Sequence, residues 1–509
     1  MKLITSLLLL LALAVATIAQ PAAVPIAVKA ARAHRQAHEH EIINEFTRLL
    51  AIPNVASDLP NIRRNAELIS QMLAARGIAP QLLEVPDAPP VVFGEIKTPG
   101  ATRTLIFYVH YDGQPVEPAK WVGGDPFAPT LRSASLEAGG KDIPFPAKGQ
   151  PFNPEWRLYA RATGDDKAPI IALVTALDAL KANKIALTSN IKFFFEGEEE
   201  AGSPHLEQIV AKYPEQVKGD VWLFCDGPVH QNRQQQIYFG ARGTAKLELT
   251  VYGPSRELHS GHYGNWAPNP AMLLARLLAS MKDDDGRVLI ENYYDGIEPL
   301  SPTEQRALAE AADNDEDLKR ELQIGFTEGN GKKLKELLML PSLNIRGLSS
   351  ASTGATARNV IPATATAAID LRLVKGIDGK TAIARVLTHM RKQGWHIVTT
   401  DPDEATRLKN PKVIKALNND GYNAARTSMD LPISRQIIAT IEAARGTTVK
   451  MPTLGGSVPL YIFTDILKLP AIGIPIANHD NNQHSANENI RLQNLWDGIE
   501  TMAALLTMK

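Results

Sequence analysis

Histidine and carboxylate residues fall in short clusters along this 509-residue chain, and their types suit divalent-metal chemistry. His110 and Asp112 stand two apart, where side chains of an extended segment share a side. The carboxylate can then orient a metal-ligating imidazole. Gly164-Asp165-Asp166-Lys167 offers a carboxylate able to bridge two cations, followed by residues suited to a turn. Glu198-Glu199-Glu200 follows three consecutive phenylalanines, and three adjacent carboxylates repel unless cations or protons intervene. One of them as ligand and its neighbour as general base is a natural division, because water activated by a metal needs a nearby proton acceptor. Asp226 and a histidine near the C-terminus, His484 or its neighbour His479, complete the set. Taken singly, each cluster has an ordinary reading as a turn, a helix cap or a solvated acidic loop. Two histidines and three carboxylates together suit a pair of Zn²⁺ ions, with Mn²⁺ or Co²⁺ as alternatives, better than a Cys-based or Mg²⁺ site.

Positioning these residues requires strands that end where they begin. Short apolar runs at 105–109, 191–195 and 221–225 lead directly into His110, Glu196 and Asp226, with helical spacing between them at 170–181. Such runs predict buried parallel strands with crossover helices, and ligands of open α/β sheets bind beyond the strands' carboxyl ends. The three clusters are therefore expected to converge on one crevice. Helical spacing also marks 38–73, and a second texture begins near Gly243. There 246–252 and 364–374 alternate like half-exposed strands, while 270–281 and the stretch from Ala382 read as helices. The charge-rich 283–340 reads as a helical elaboration at the surface. The fold class expected is α/β: a mixed, largely parallel sheet with helices on both faces, plus an inserted α+β domain. The boundaries expected are 20–242 and 405–509 for the core domain and 243–404 for the insertion.

Composition adds exclusions. With 44% hydrophobic residues, 21% charged and 54 Lys+Arg against 55 Asp+Glu, the chain is globular and carries no field to steer nucleic acid or an anionic membrane. Lys2, the apolar run from Leu7 to Val15 and Thr17-Ile18-Ala19 read as a signal peptide over 1–19, so export to a periplasm or full secretion is expected. That run is too short to span a bilayer, and no membrane span is expected after cleavage. Cys225, the single cysteine, forbids an internal disulfide.

Five motifs carry a family resemblance: His110-Tyr111-Asp112-Gly113-Gln114-Pro115, Gly164 to Lys167, Glu196 to Ser203, Leu258-His259-Ser260-Gly261 and His484 to Glu488. In order and spacing they resemble the M20 metallopeptidases, most closely the carnosinase and nonspecific-dipeptidase branch, over roughly the whole mature chain. The resemblance implies that His110, Asp165 and Asp226 hold one metal and Asp165, Glu200 and His484 the other. It also implies Glu199 as general base and Asp112 as the carboxylate orienting His110. The insertion would be a lid that forms a homodimer, His259 would stabilise the oxyanion from the partner subunit, and Asn359, Arg372 and Ser457 would meet the substrate's carboxylate end. Arg372 offers a bidentate fork for that carboxylate. Two departures bear on the substrate: Thr453 stands where the dipeptidases carry Arg, and Asn359 where they carry a hydroxyl residue. The activity implied is hydrolysis of dipeptides or short peptides with a free C-terminus. A deacylase of N-acyl amino acids and a non-catalytic binding protein on the same scaffold are the other readings.

Overall fold

The computed structural model describes residues 24–509, so the expected signal peptide lies outside the described residues. An eight-stranded sheet forms the centre, in the spatial order Gln81–Leu83, Val91–Ile96, Asn190–Glu196, Thr104–His110, Val221–Phe224, Ala471–Gly473, Gln236–Tyr238 and Val449–Met451. Its middle is parallel: Thr104–His110 runs alongside both Asn190–Glu196 and Val221–Phe224, and Ala471–Gly473 continues the same direction. Val91–Ile96 joins antiparallel, which makes the sheet mixed. In this register His110 lies opposite Glu196 and Tyr108 opposite Phe224, so the expected clusters leave the sheet at one edge.

The apolar runs are continuous because both faces of the sheet are covered. Leu105, Phe107, Val109, Phe193 and Phe195 point into one core, shared with the buried helices Ala168–Ala182 and Leu492–Leu506. Ile106, Tyr108, Phe194 and Trp222 point into the other, as the period of two in a strand requires. The helical spacing at 38–73 resolves into two helices, Glu39–Leu50 and Leu59–Ala75. Between them Pro53 removes a helical donor, and the Asp58 side chain then accepts from Asn61 N–H to start the second helix.

A second, five-stranded sheet runs Ser342–Ser349, Thr364–Leu373, Gly243–Tyr252, Val413–Tyr422, His396–Val398. Ala245, Leu247, Leu249 and Val251 alternate inward against the helices Pro270–Ala279 and Gly379–Lys392. Because Val413–Tyr422 pairs with Gly243–Tyr252, this sheet continues to Tyr422, beyond the boundary at 404 read from sequence. The 283–340 segment contains the helices Pro302–Glu310, Asp315–Glu321 and Leu334–Leu337. It is more than a surface elaboration. Pro302–Glu310 packs on Val449–Met451, Thr303 Oγ1 donates to Asp430 at 2.9 Å, and the buried Glu304 carboxylate lies 3.5 Å from Arg426. A small sheet of Thr130–Arg132, Arg157–Tyr159 and Asn489–Arg491 ties the C-terminal part to the segment that carries Asp165.

Candidate metal centre

His110 is the last residue of its strand and is fully buried. Its Nε2 lies 2.9 Å from Asp165 Oδ1, and its Nδ1 lies 3.3 Å from Asp112 Oδ1 and 3.2 Å from the Asp112 carbonyl. The same Asp112 carboxylate accepts from Glu199 N–H at 3.1 Å and Glu200 N–H at 3.0 Å. One buried side chain thus fixes both an imidazole and the backbone of two consecutive glutamates. Gln114 Nε2 donates to Glu200 Oε2 at 2.7 Å, and His484 Nε2 lies 3.2 Å from Asp165 Oδ2 and 3.3 Å from Glu200 Oε2.

Two donor groups result: His110, Asp165 and Asp226 in one, Asp165, Glu200 and His484 in the other, each with ligand atoms within 4.8 Å of one another. Asp165 belongs to both. His479, the alternative to His484 in the sequence reading, lines the same cleft but joins neither group among the described residues. Cations fit this arrangement on two observations. Asp226 Oδ1 is a buried oxygen with no hydrogen-bond partner, and Asp165 Oδ2, met only by the His484 imidazole at 3.2 Å, makes no well-formed hydrogen bond, which a folded chain avoids unless something else meets them. The carboxylates also crowd. Burial pushes the Glu199 carboxyl well above the usual range, and burial together with Asp165 pushes Glu200 up to about 8 and Asp226 up to about 6. Against the same burial, His110 and His484 hold the Asp165 carboxyl below the usual range, while Asp165 pushes His484 up to about 9. The donors are nitrogen and oxygen, with no cysteine.

Asp165, Glu199, Asp226, Ser457 and His484 line one cleft of about 510 Å³. Its other wall comes from the charge-rich segment, through Asn314, Leu318 and Leu338. Arg372 Nη1 donates to Ser457 Oγ at 2.6 Å and Arg372 Nε to Asp370 at 3.0 Å, so these two sequence candidates lie together at the rim. His259 and Asn359 form a separate pair. Leu258–His259 and Val360–Ile361 make a two-residue ladder, and Ser260 N–H donates to the Asn359 carbonyl at 3.0 Å. Both side chains are exposed and neither lines the cleft of the same chain.

Several buried residues escaped the sequence reading. Lys167, assigned only to a turn, donates from Nζ to Leu49 O at 2.9 Å and Asn65 Oδ1 at 2.7 Å, and burial brings its ammonium down to about 7. Asp166 accepts from His110 N–H at 3.3 Å. The half-buried Gln114 and the buried Glu488 each stand four residues after a candidate ligand histidine, inside motifs already quoted, and that spacing is the signal that could have found them.

The model of peptidase family M20/M25/M40 matches residues 106–508. The chain belongs to this family. It is a peptidase of a metal-binding family, and the two donor groups accord with that. It is 26% identical to the Cys-Gly metallodipeptidase dug1 of Schizosaccharomyces pombe over 90% of this chain and 94% of that one. It is also 26% identical to the Beta-Ala-His dipeptidase of Homo sapiens, over 92% and 90% respectively. Among solved structures, an M20 family metallo-carboxypeptidase from Sulfolobus solfataricus superimposes with a TM-score of 0.73 at 26% identity, covering 92% of this chain and 99% of that one. Human carnosine dipeptidase 1 shares the fold with a TM-score of 0.74 at 23% identity, covering 95% and 99%.

Export is the expectation the comparisons overturn. The yeast Cys-Gly metallodipeptidases aligned along most of this chain give export no support, and the leader-like residues that suggested it lie outside the described residues. The chain is therefore assigned neither to a periplasm nor to secretion. No helix among the described residues is long and apolar enough to cross a membrane.

Proposed function

We propose that this peptidase is a dinuclear, metal-dependent dipeptidase acting on dipeptides or short peptides with a free C-terminal carboxylate. The observation that carries the reading is the pair of donor groups sharing Asp165, with Glu199 lining the same cleft. His110, Asp165 and Asp226 would hold one ion and Asp165, Glu200 and His484 the other, with Zn²⁺ the best match to the donors and Mn²⁺ or Co²⁺ as alternatives. When bound, such ions lower the pKa of water and polarise the scissile carbonyl.

The residues supply the rest. Glu199 takes a proton from the attacking water as the new C–O bond forms, and delivers it to the leaving amine as the C–N bond breaks. Asp112 fixes the backbone of Glu199 and Glu200 by accepting both of their N–H groups. Arg372, braced by Ser457, offers its guanidinium to the substrate's terminal carboxylate. Residues 243–422, which contain the second sheet, would act as a lid and dimerisation unit. His259 would then serve as an oxyanion donor in the partner subunit's cleft, with Asn359 beside it, a role supported by their exposure and their absence from their own cleft.

The names of the aligned relatives favour dipeptides over N-acyl amino acids. A panel of both substrate classes, assayed with and without chelator and with added Zn²⁺ or Mn²⁺, tests the proposal. Chelator-sensitive dipeptide cleavage restored by metal is expected. Turnover of N-acyl amino acids alone would assign a deacylase instead.

A further inference from the structure

The Glu488 carboxylate belongs to neither group of candidate metal ligands, yet it is 1% exposed and accepts four hydrogen bonds. Its Oε2 accepts from Arg161 Nη1 at 2.8 Å and Ala162 N–H at 3.0 Å, and its Oε1 accepts from Gly164 N–H and Asp165 N–H, both at 3.0 Å. The backbone there is irregular. Ala162 is left-handed at φ 63°, and Asp165 has φ −126° and ψ 84°. A regular helix would offer these N–H groups a carbonyl four residues back. Here three buried donors depend on one side chain instead. Arg161 extends the connection: its Nη2 donates to the Ser485 carbonyl at 3.1 Å, beside His484, and its guanidinium lies over the Trp121 ring at 5.3 Å. The Arg161 carbonyl accepts from Asn54 Nδ2 at 3.3 Å, and the Asn54 carbonyl accepts from Gly113 N–H at 2.9 Å, next to Asp112.

We infer that Glu488, with Arg161, is a positioning pair that sets the Asp165 carboxylate between the two donor groups and ties it to the His484 segment. The inference rests on the dinuclear reading above. A carboxylate is specifically required, because it is acceptor-only with about four lone-pair sites. In Glu488→Gln an amide nitrogen would meet either the Gly164 and Asp165 N–H groups or the Arg161 guanidinium, donor against donor. Arg161→Lys keeps a cation beside Glu488 but loses the fork that reaches Ser485.

The test uses the full chain, stripped of metal and titrated with Co²⁺, followed by visible absorption and calorimetry. Folding is checked by circular dichroism. The parent is expected to take up two equivalents. Glu488→Gln should bind Co²⁺ roughly 10- to 100-fold more weakly, the effect typical of groups supporting metal ligands. Its visible band should shift, and at saturating Co²⁺ its kcat on a dipeptide should fall while KM stays within about twofold. Arg161→Lys should weaken mainly one of the two equivalents. A folded Glu488→Gln with parental affinity and spectrum overturns the inference. Should that variant not fold, parental binding of both equivalents by Arg161→Lys overturns it. A parent chain that binds no Co²⁺ and cleaves no dipeptide overturns the dinuclear reading itself, and this inference with it.

Discussion

Glu199 and Glu200 are neighbours in the chain but carry different tasks in the proposed mechanism, and a third carboxylate fixes the backbone of both. Asp112 accepts both of their backbone N–H groups; the Glu200 side chain lies 3.3 Å from His484, and Glu199 lines the cleft. Glu199→Gln keeps the shape and removes the proton acceptor. Turnover of a dipeptide should fall by roughly 10²- to 10⁴-fold, with bound metal, measured by elemental analysis, unchanged. Near-normal turnover would remove the general-base assignment. Asp112→Asn has a different signature. It presents an amide to two backbone donors and to His110, so metal affinity should drop about 10- to 100-fold, read by competition with a chromogenic chelator.

At the scale of elements, the donor groups depend on how the C-terminal loop is held. Asp480, four residues before His484, accepts from Arg157 Nη2 at 2.5 Å and lies 3.3 Å from Arg491 Nη2, which joins that loop to the small three-stranded sheet. Partial burial opposes ionisation, but the hydrogen bond and charge of Arg157 prevail and hold the Asp480 carboxyl well below the usual range. A carboxyl depressed by folding stabilises above its unfolded pKa of about 3.9 and loses that stabilisation as pH falls toward its folded value. Stability should therefore decline as pH drops below about 4. Asp480→Asn should cost about 2 kcal/mol by urea unfolding at neutral pH, since it leaves two buried arginines short of a partner. The same variant should flatten the acid limb, and an unchanged acid limb would count against the Asp480 pairs. The helix Pro302–Glu310 offers a second check. Its Ser301 side chain accepts from Glu304 N–H while Glu304 accepts from Ser301 N–H, so Ser301→Ala should lower stability by about 1 kcal/mol.

For the whole molecule, the open question is where His259 works. It sits exposed on its two-residue ladder, its Nδ1 accepts from Gly261 N–H at 3.0 Å, and Trp266 nearby is 79% exposed. Sedimentation velocity is expected to show a dimer. Mixing His259→Ala chains with Glu199→Gln chains should restore part of the activity that each lacks, because a mixed dimer then holds one complete site. A fully active monomer would end the across-subunit role of His259.

The sequence by itself determined the family and marked out the candidate donor set and the candidate general base, because these are short motifs whose residue types are dictated by chemistry and whose positions follow strand ends. His110 and Asp112 are legible two apart, as is the acidic run after three phenylalanines. Short continuous apolar runs also placed the central strands. Tertiary structure decided what depends on distance between remote segments. It brought His484, the histidine the resemblance implies, within reach of Asp165 and Glu200 and left its neighbour His479 outside both groups among the described residues. It placed the charge-rich helices along the cleft and extended the second sheet to Tyr422 by a pairing that local patterns do not encode. It also gave Glu488 and Lys167 buried partners more than 100 residues away. A buried polar residue looks the same in sequence as a solvated one, and only the packed chain shows which groups have been taken out of water and must be satisfied from within.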